Sequence, residues 1–261
     1  MCYAIKPWVR YTQGLILIGF LNRLTMTTIL AVDTSTEACS VALQIGSECI
    51  AKYSDEPRSH SRLLMPMVQQ VLAEADIKVN QLDAIGVSIG PGSFTGLRIG
   101  FAAVQGMAYG ADIPVVPVST LELMVATYGR QKSAQAGEIV ALLDARMSEF
   151  NLGRYRLDDS RQIVALEADR LVSSAQAIEL LAANQRVSVI GDAGGLFELA
   201  PELKSQFTPI YPNAIDILPL AQTEYSAQRA VAIETVDLVY LRGTEAWQKR
   251  KRLRTTAEEV N

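Results

Sequence analysis

The stretch Ser88-Ile-Gly-Pro-Gly-Ser-Phe-Thr-Gly-Leu-Arg-Ile-Gly100 decides the fold of this chain. Residues 84–89 are short, apolar and β-branched, which predicts a buried strand. Gly90-Pro91-Gly92 then predicts a turn, because glycine permits positive φ and proline fixes its own φ. Ser93 is a candidate N-cap for a helix that runs from Phe94 to about Gly110. A strand, a glycine turn and a helix N-terminus together are typical of an anion-binding site.

The predicted helix has one face of small residues, namely Gly96, Gly100, Ala103, Gly106 and Gly110. Such a face lets another backbone approach closely, whether that of a second helix or that of the chain's own sheet. The opposite face carries Arg98, Phe101, Gln105 and Tyr109. Aromatic residues together with arginine are typical of protein interfaces, and Arg98 and Gln105 exclude a membrane-embedded helix.

Composition describes a chain with a large core and an acidic body. Of the 261 residues, 49% are hydrophobic and 20% are charged, which argues against disorder. Residues 26–248 hold 16 Lys and Arg against 26 Asp and Glu. An acidic body is a poor docking surface for phosphate backbones, so any role with nucleic acid is expected to be indirect. The three cysteines form neither a disulfide framework nor a metal-ligand spacing, which favours a reducing cytoplasm.

The order of predicted elements is repeated in the two halves of the chain. Residues 138–144 form an apolar strand that ends in Asp144, just as residues 28–33 end in Asp33. In both halves two further strands, a helix and a strand that meets glycine follow. The repeat predicts an α/β fold of two β-β-β-α-β lobes with a cleft between them, although chance similarity of short apolar strands is the alternative. We expect residues 26–130 to form the first lobe, completed by about 215–245, and residues 131–214 the second.

The two ends of the chain differ from its body. Residues 1–25 contain the apolar run Gly14–Leu21, which is too short to span a bilayer and lacks a cleavage site. We expect them to be an extension that precedes the true start at Met26. Residues 246–261 form a basic tail with Lys249-Arg-Lys-Arg252, which either frays in solvent or touches phosphate.

Few residues suit catalysis. His60 is the one histidine of the sequence, and its position among Arg58, Ser59 and Arg62 favours a capping or surface role. The sequence has no zinc-ligand spacing and no GxxxxGK[ST] loop. Strand-end aspartates, one per repeat, are weak evidence for a cleft that holds a magnesium nucleotide. The degenerate nucleotide-site candidates are Asp33, Ser35, Thr36, Gly90, Gly92 and Ser93.

Four segments resemble the TsaB family, and the resemblance runs from about Met26 to Trp247. The segments are Ile29-Leu-Ala-Val-Asp-Thr-Ser-Thr-Glu-Ala-Cys-Ser-Val-Ala-Leu43, Gly90–Gly100, Leu143-Asp-Ala-Arg-Met147 and Val239-Tyr-Leu-Arg242. The resemblance implies a duplicated actin/Hsp70-like (ribonuclease H-like) fold. It also implies a part in making threonylcarbamoyladenosine beside the anticodon of tRNAs that read codons beginning with A. The implied partners are a catalytic paralogue, TsaD, and an ATPase, TsaE, with tRNA reached through the complex.

The same resemblance implies that the catalytic apparatus of the paralogue is missing. Where its two metal-binding histidines would fall, this chain has Thr120 and Met124, and neither replaces an imidazole. Where a glycine pair would approach phosphate, it has Arg146 and Met147. We therefore expect a non-catalytic partner subunit with no cofactor, no metal and no catalytic residue. A weak actin-like ATPase or phosphotransferase acting by itself is the main alternative, and a metallopeptidase is a third.

The partner surface is predicted on two helices, His60–Asp76 and Phe94–Gly110, that follow strands of the first repeat. In TsaB-like proteins this pair meets the equivalent pair of the paralogue in a four-helix layer, and a homodimer is an alternative use of the same surface. The predicted contact residues are Leu64, Met67, Val68, Val71, Arg98, Phe101, Gln105 and Tyr109.

Overall fold

The computed structural model of the chain describes residues 26–131, 134–184 and 186–242. The predictions for residues 1–25 and for the basic tail therefore lie outside the described residues. Five strands form a first sheet in the order β3-β2-β1-β4-β5: β1 (Thr28–Asp33), β2 (Cys39–Ile45), β3 (Glu48–Ser54), β4 (Ala84–Gly90) and β5 (Val115–Ser119). Strand β1 is buried along its whole length, as an apolar strand at the centre of a covered sheet should be.

The second sheet repeats this arrangement. Its strands are β6 (Gly137–Asp144), β7 (Glu149–Leu157), β8 (Ile163–Ala165), β9 (Arg170–Ser173), β10 (Ser188–Asp192) and β11 (Phe207–Pro209). Their order is β11-β10-β6-β7-β8, and β9 also pairs with β7. Strand β6 pairs antiparallel with β7 and parallel with β10, just as β1 pairs antiparallel with β2 and parallel with β4. The predicted duplicated α/β fold is confirmed.

The helices occupy matching places in the two halves. They are α1 (His60–Glu74), α2 (Phe94–Ala111), α3 (Thr120–Arg130), α4 (Ser174–Ala183), α5 (Gly194–Leu199) and α6 (Ala214–Ser226). Helices α1 and α2 lie side by side and share one buried core with β1, β2 and β4. Helices α4 and α5 share the corresponding core of the second sheet.

The last helix of each half packs against the sheet of the other half. Helix α3 follows β5, but Leu121 and Met124 pack in a core with the second sheet. Helix α6 follows β11, but Ile217 and Ala221 pack against β1 and β4 of the first sheet. A Cβ on Gly86 would lie 2.4 Å from Cγ2 of Ile217, so a glycine is needed where α6 approaches β4. This exchange joins the two halves.

Among the described residues, no helix is long and apolar enough to cross a membrane.

Candidate functional site

The turn after β4 is built as the sequence predicts. Gly90 has φ of +117°, a left-handed value that favours glycine, and Ser93 caps α2 by accepting a hydrogen bond from the amide of Gly96 at 3.2 Å. The amide of Ser93 donates to the carbonyl of Ser35 at 2.7 Å. The β4–α2 turn is therefore tied directly to the β1–β2 loop.

Of the predicted face of small residues, Gly96 and Gly100 pack on that same loop and not on α1. A Cβ on Gly96 would lie 2.2 Å from the carbonyl oxygen of Thr34, and a Cβ on Gly100 would lie 2.2 Å from Thr34 Oγ1. The Thr34 hydroxyl donates to the Gly96 carbonyl at 2.8 Å. Of the two predicted neighbours, a second helix or the chain's own sheet, Gly96 and Gly100 meet the second, since Thr34 follows directly after β1.

Asp33, the strand-end aspartate of the first half, is closed off from solvent. Its Oδ1 accepts hydrogen bonds from the hydroxyls of Ser35 at 2.6 Å and Ser88 at 2.5 Å. Its Oδ2 is buried without a hydrogen-bond partner. Burial, which outweighs these hydrogen bonds, raises the pKa of Asp33 above its ordinary value. The Asp33 carboxyl group is therefore enclosed by its own chain, with one oxygen that is hydrogen-bonded and one that is not.

The other nucleotide-site candidates are covered in the same way. Ser35 and Thr36 are buried, and a Cβ on Gly92 would lie 2.2 Å from the Ser35 carbonyl oxygen. A Cβ on Gly90 would lie 2.4 Å from the carbonyl oxygen of Val239. Ser93 alone of the six is exposed. The structure thus brings these residues together but fills the space between them with the protein's own backbone.

The facing wall of the cleft is acidic. Asp144 ends β6 and Asp192 ends β10, and both are exposed. Burial, together with nearby Asp144 and Glu37, raises the pKa of Asp192, while Arg146 partly opposes them. The guanidinium of Arg146 lies 3.3 Å from Asp144, so its charge is already partnered. The charged side chains of this wall are therefore two carboxylates and one guanidinium that is paired with the first of them.

The loop between β6 and β7 has an unusual backbone. Arg146, Met147 and Ser148 have φ of 68°, 57° and 60°, so three successive residues with side chains are left-handed. The carbonyl of Ser148 accepts hydrogen bonds from the amide and the hydroxyl of Ser174. This conformation is held by bonds from outside the loop.

The predicted partner residues divide into two groups. Leu64, Met67, Val68 and Val71 on α1 lie in the core of the first half and are at most 9% exposed. The prediction that these four residues contact a partner is corrected, because the apolar stripe of α1 packs against the sheet and α2 of its own chain. Arg98, Gln105 and Tyr109 on α2 are exposed, Tyr109 by 73%, whereas Phe101 is partly buried against the core.

The C-terminal part of the predicted face of small residues on α2 is open instead. Gly106 and Gly110 are exposed, and a Cβ on either would meet no atom within 4 Å. Ala102, four residues before Gly106, is exposed as well. The three share one face of the helix, beside Gln105 and Tyr109.

Comparison with known proteins now decides the family. The family model described as "TsaD: tRNA N6-adenosine threonylcarbamoyltransferase" matches residues 54–248. The tRNA threonylcarbamoyladenosine biosynthesis protein TsaB of Haemophilus influenzae is 35% identical over 230 residues, which are 85% of this chain and 96% of that protein. The Escherichia coli protein of the same name is 33% identical over 85% of this chain and 97% of its own length. The chain belongs to the TsaB family.

A solved relative agrees with the fold. The structure of YeaZ from Pseudomonas aeruginosa superimposes with a TM-score of 0.72 at 32% identity, over 82% of this chain and all of that one.

Thr120 and Met124, which stand where the resemblance places the metal-binding histidines of the paralogue, lie in the core of this chain. Thr120 and Met124 are fully buried between the halves. The methyl carbon of Met124 lies 2.6 Å from where a Cβ on Gly191 would stand. The side chains at both positions therefore fill space instead of facing a cavity. In the described parts of the chain, no three His, Cys, Asp or Glu side chains are arranged to hold a metal ion.

The sequence favours a capping or surface role for His60, and the structure gives it neither. It is the first residue of α1 and is buried, with Nε2 lying 3.1 Å from the carbonyl oxygen of Ala38. Since a carbonyl only accepts, the ring donates from Nε2.

Sequence reasoning also missed the surroundings of Val239–Arg242. The ring of Tyr240 lies 5.5 Å from that of Phe94, and the guanidinium of Arg98 stacks over Phe94 at 3.6 Å. In the sequence these four residues carry only part of the family resemblance, and no periodic pattern marks their contacts.

Proposed function

We propose that this chain is a non-catalytic partner subunit in the biosynthesis of tRNA threonylcarbamoyladenosine, and that it binds a TsaD-like catalytic paralogue through the outer face of α2. Membership of the TsaB family supports the pathway. The partner surface rests on one observation, the bare exposed face of Ala102, Gly106 and Gly110.

That face is suited to a helix of another protein. Because Gly106 and Gly110 have no side chains and nothing of their own chain beside them, a partner helix can approach the backbone of α2 closely. Tyr109 and Arg98 flank the face, and aromatic residues and arginine dominate the binding energy of many interfaces. The core residues of α1 support α2 from behind and take no part in the contact.

The non-catalytic role is supported by the state of the cleft. Asp33 is buried and hydrogen-bonded to serines, the facing wall carries Asp144 and Asp192, and Thr120 and Met124 are core residues. These features disfavour the alternative in which the chain is an ATPase or phosphotransferase by itself.

The wider assembly follows from the same proposal. The chain would reach a TsaE-like ATPase and tRNA through the catalytic paralogue, in the cytoplasm. A homodimer of the free chain would use the same face of α2 and would compete with the paralogue.

Gly106→Gln tests the surface. A long polar side chain should block close approach, and we expect affinity for the TsaD-like protein of the same organism to fall by about tenfold or more, the equivalent of an overpacking cost of about 1–3 kcal/mol. The fold should survive, because Gly106 has open space around it. Isothermal titration with the purified partner measures the effect.

Gly195→Gln is the matched control. Gly195 lies in α5 of the second half and also has no atom within 4 Å of a built Cβ. It should bind the partner like the unchanged chain. Equal affinities for Gly106→Gln and Gly195→Gln would show that the partner lies elsewhere.

A further inference from the structure

The segment that follows α6 runs along the edge of the first sheet. Val231 forms two hydrogen bonds with Val115 of β5, at 2.8 and 2.9 Å. Ile233 and Val236 are buried in the core under α1 and α2. The amide of Val239 then donates to the carbonyl of Ile89 at 2.8 Å, at the carboxyl end of β4. The segment is thus an ordered part of the first half up to the mouth of the cleft.

Beyond Val239 the segment is fastened to the start of α2. The Tyr240 and Phe94 rings lie 5.5 Å apart at an angle of 46°, an arrangement favoured by aromatic pairs. The guanidinium of Arg98 lies over the Phe94 ring, which adds a cation–π contact. Gly90 leaves room for the Val239 carbonyl, because any side chain there would collide with it.

Arg242 then crosses to the other half. Its guanidinium donates to the carbonyl of Arg146 at 3.0 Å and to the carboxylate of Glu149, and it contacts the sulfur of Met147 at 3.1 Å. All three acceptors belong to the left-handed β6–β7 loop or to the first residue of β7. One side chain of the first half therefore holds a strained loop of the second.

We propose that Val239–Arg242 is a clasp that fastens the two halves together across the cleft, and that Arg242 is the residue that positions it. The halves are otherwise joined by the exchanged helices α3 and α6 and by contacts such as the Ser119 hydroxyl with Asp169, at 2.9 Å. The clasp is a separate connection, at the carboxyl ends of β4 and β6. With both connections in place the cleft is held at one width, whereas two lobes joined by a single hinge region can open and close around a ligand.

The clasp differs from the ordinary surface ion pairs of the chain. Arg62 and Glu56 lie six residues apart in the same half, and their side chains are 64% and 58% exposed. The side chain of Arg242 is 26% exposed and joins positions more than ninety residues apart. The contacts of Arg242 therefore restrain two distant parts of the chain relative to each other, whereas the Arg62–Glu56 pair restrains only its own segment.

Hydrogen exchange of the full chain tests the proposal, with Arg242→Ala as the variant. We expect the amide of Val239 and the amides of residues 145–149 to exchange at least tenfold faster than in the unchanged protein. Arg62→Ala, which removes a pair inside one half, should change neither region. If Arg242→Ala exchanges like the unchanged protein at both places, the clasp does not exist.

A distance measurement separates a clasp from a local anchor. Nitroxide labels at Gln70 and Glu179, exposed residues of α1 and α4, report the separation of the halves once Cys2 and Cys49 are replaced by serine. Arg242→Ala should broaden the distance distribution, and Arg62→Ala should leave it unchanged. Faster exchange at Val239 with an unaltered distribution would overturn the claim that the clasp joins the halves.

Discussion

Gly100 and Gly106 lie six residues apart on α2 and meet opposite surroundings. A Cβ at Gly100 would stand 2.2 Å from Thr34 Oγ1, and one at Gly106 would stand in open space. Gly100→Ala should therefore lower the free energy of unfolding by about 1–3 kcal/mol, through overpacking. Gly106→Ala should raise it by about 0.5–1 kcal/mol, since alanine is the better helix former. Urea unfolding of both variants measures the difference, and equal effects would contradict the packing described for α2.

Asp33 gives a prediction for pH. Its folded-state pKa lies above the ordinary value of 3.8, so between the two values the folded protein binds more protons than the unfolded chain. The contribution of Asp33 to stability is therefore greatest at low pH and is lost as the pH rises through that interval. In Asp33→Asn this loss is absent, and the free energy of unfolding of the variant relative to the unchanged protein should increase with pH.

Unfolding curves of the two proteins at a series of acidic and neutral pH values measure this effect. Because other groups titrate in both proteins, their contributions largely cancel in the difference. A constant difference across the series would show that Asp33 is not the buried carboxyl that the structure describes.

At the scale of elements, an ion pair between an arginine and a buried aspartate connects the exchanged helices α3 and α6. Arg130 of α3 donates to both carboxylate oxygens of Asp216 in α6, at 2.6 and 2.9 Å, and Asp216 is 5% exposed. Arg130→Ala should lower the free energy of unfolding by about 1–3 kcal/mol, because a buried carboxylate loses its partner, and the half-exposed arginine keeps the loss below the full buried-pair value.

The double variant Arg130→Met, Asp216→Leu is the control for this pair. Replacing both charges by apolar side chains of similar size should recover most of the loss. Chemical unfolding of the two variants measures the recovery, and a double variant as unstable as Arg130→Ala would assign the loss to packing of the arginine stem instead.

The elements that local pattern determines were predicted from the sequence. The strand that ends in Asp33, its counterpart that ends in Asp144 and the cap at Ser93 follow from apolar runs and turn chemistry. The stripe of α1 around Val68 was assigned to a partner, because a stripe that meets a sheet and a helix of its own chain has the same periodicity as one that meets another protein. The contacts of Arg242 lie more than ninety residues away in the chain, and no local pattern encodes them.

At the scale of the whole molecule, two similar α/β halves are joined, and the glycine turn and Asp33 at their junction are enclosed by the protein's own chain. The carbonyl groups of Ser35 and Val239 pack against the glycine turn after β4. Asp144 and Asp192 lie on the other wall of the cleft. The outer face of α2 with Gly106 and Tyr109, in contrast, is open to solvent. Fold and exposed surface therefore favour a subunit that acts through its partner.

Reconstituted tRNA modification tests this account most directly. The TsaD-like and TsaE-like proteins of the same organism are incubated with unmodified tRNA and the pathway's substrates, with and without this chain, and threonylcarbamoyladenosine is measured by nucleoside mass spectrometry. The account predicts modification only when the chain is present, a loss of it with Gly106→Gln, and ATP hydrolysis by the chain alone at the rate of buffer. Full modification without the chain, or ATP turnover by the chain alone that disappears with Asp33→Ala, would contradict it.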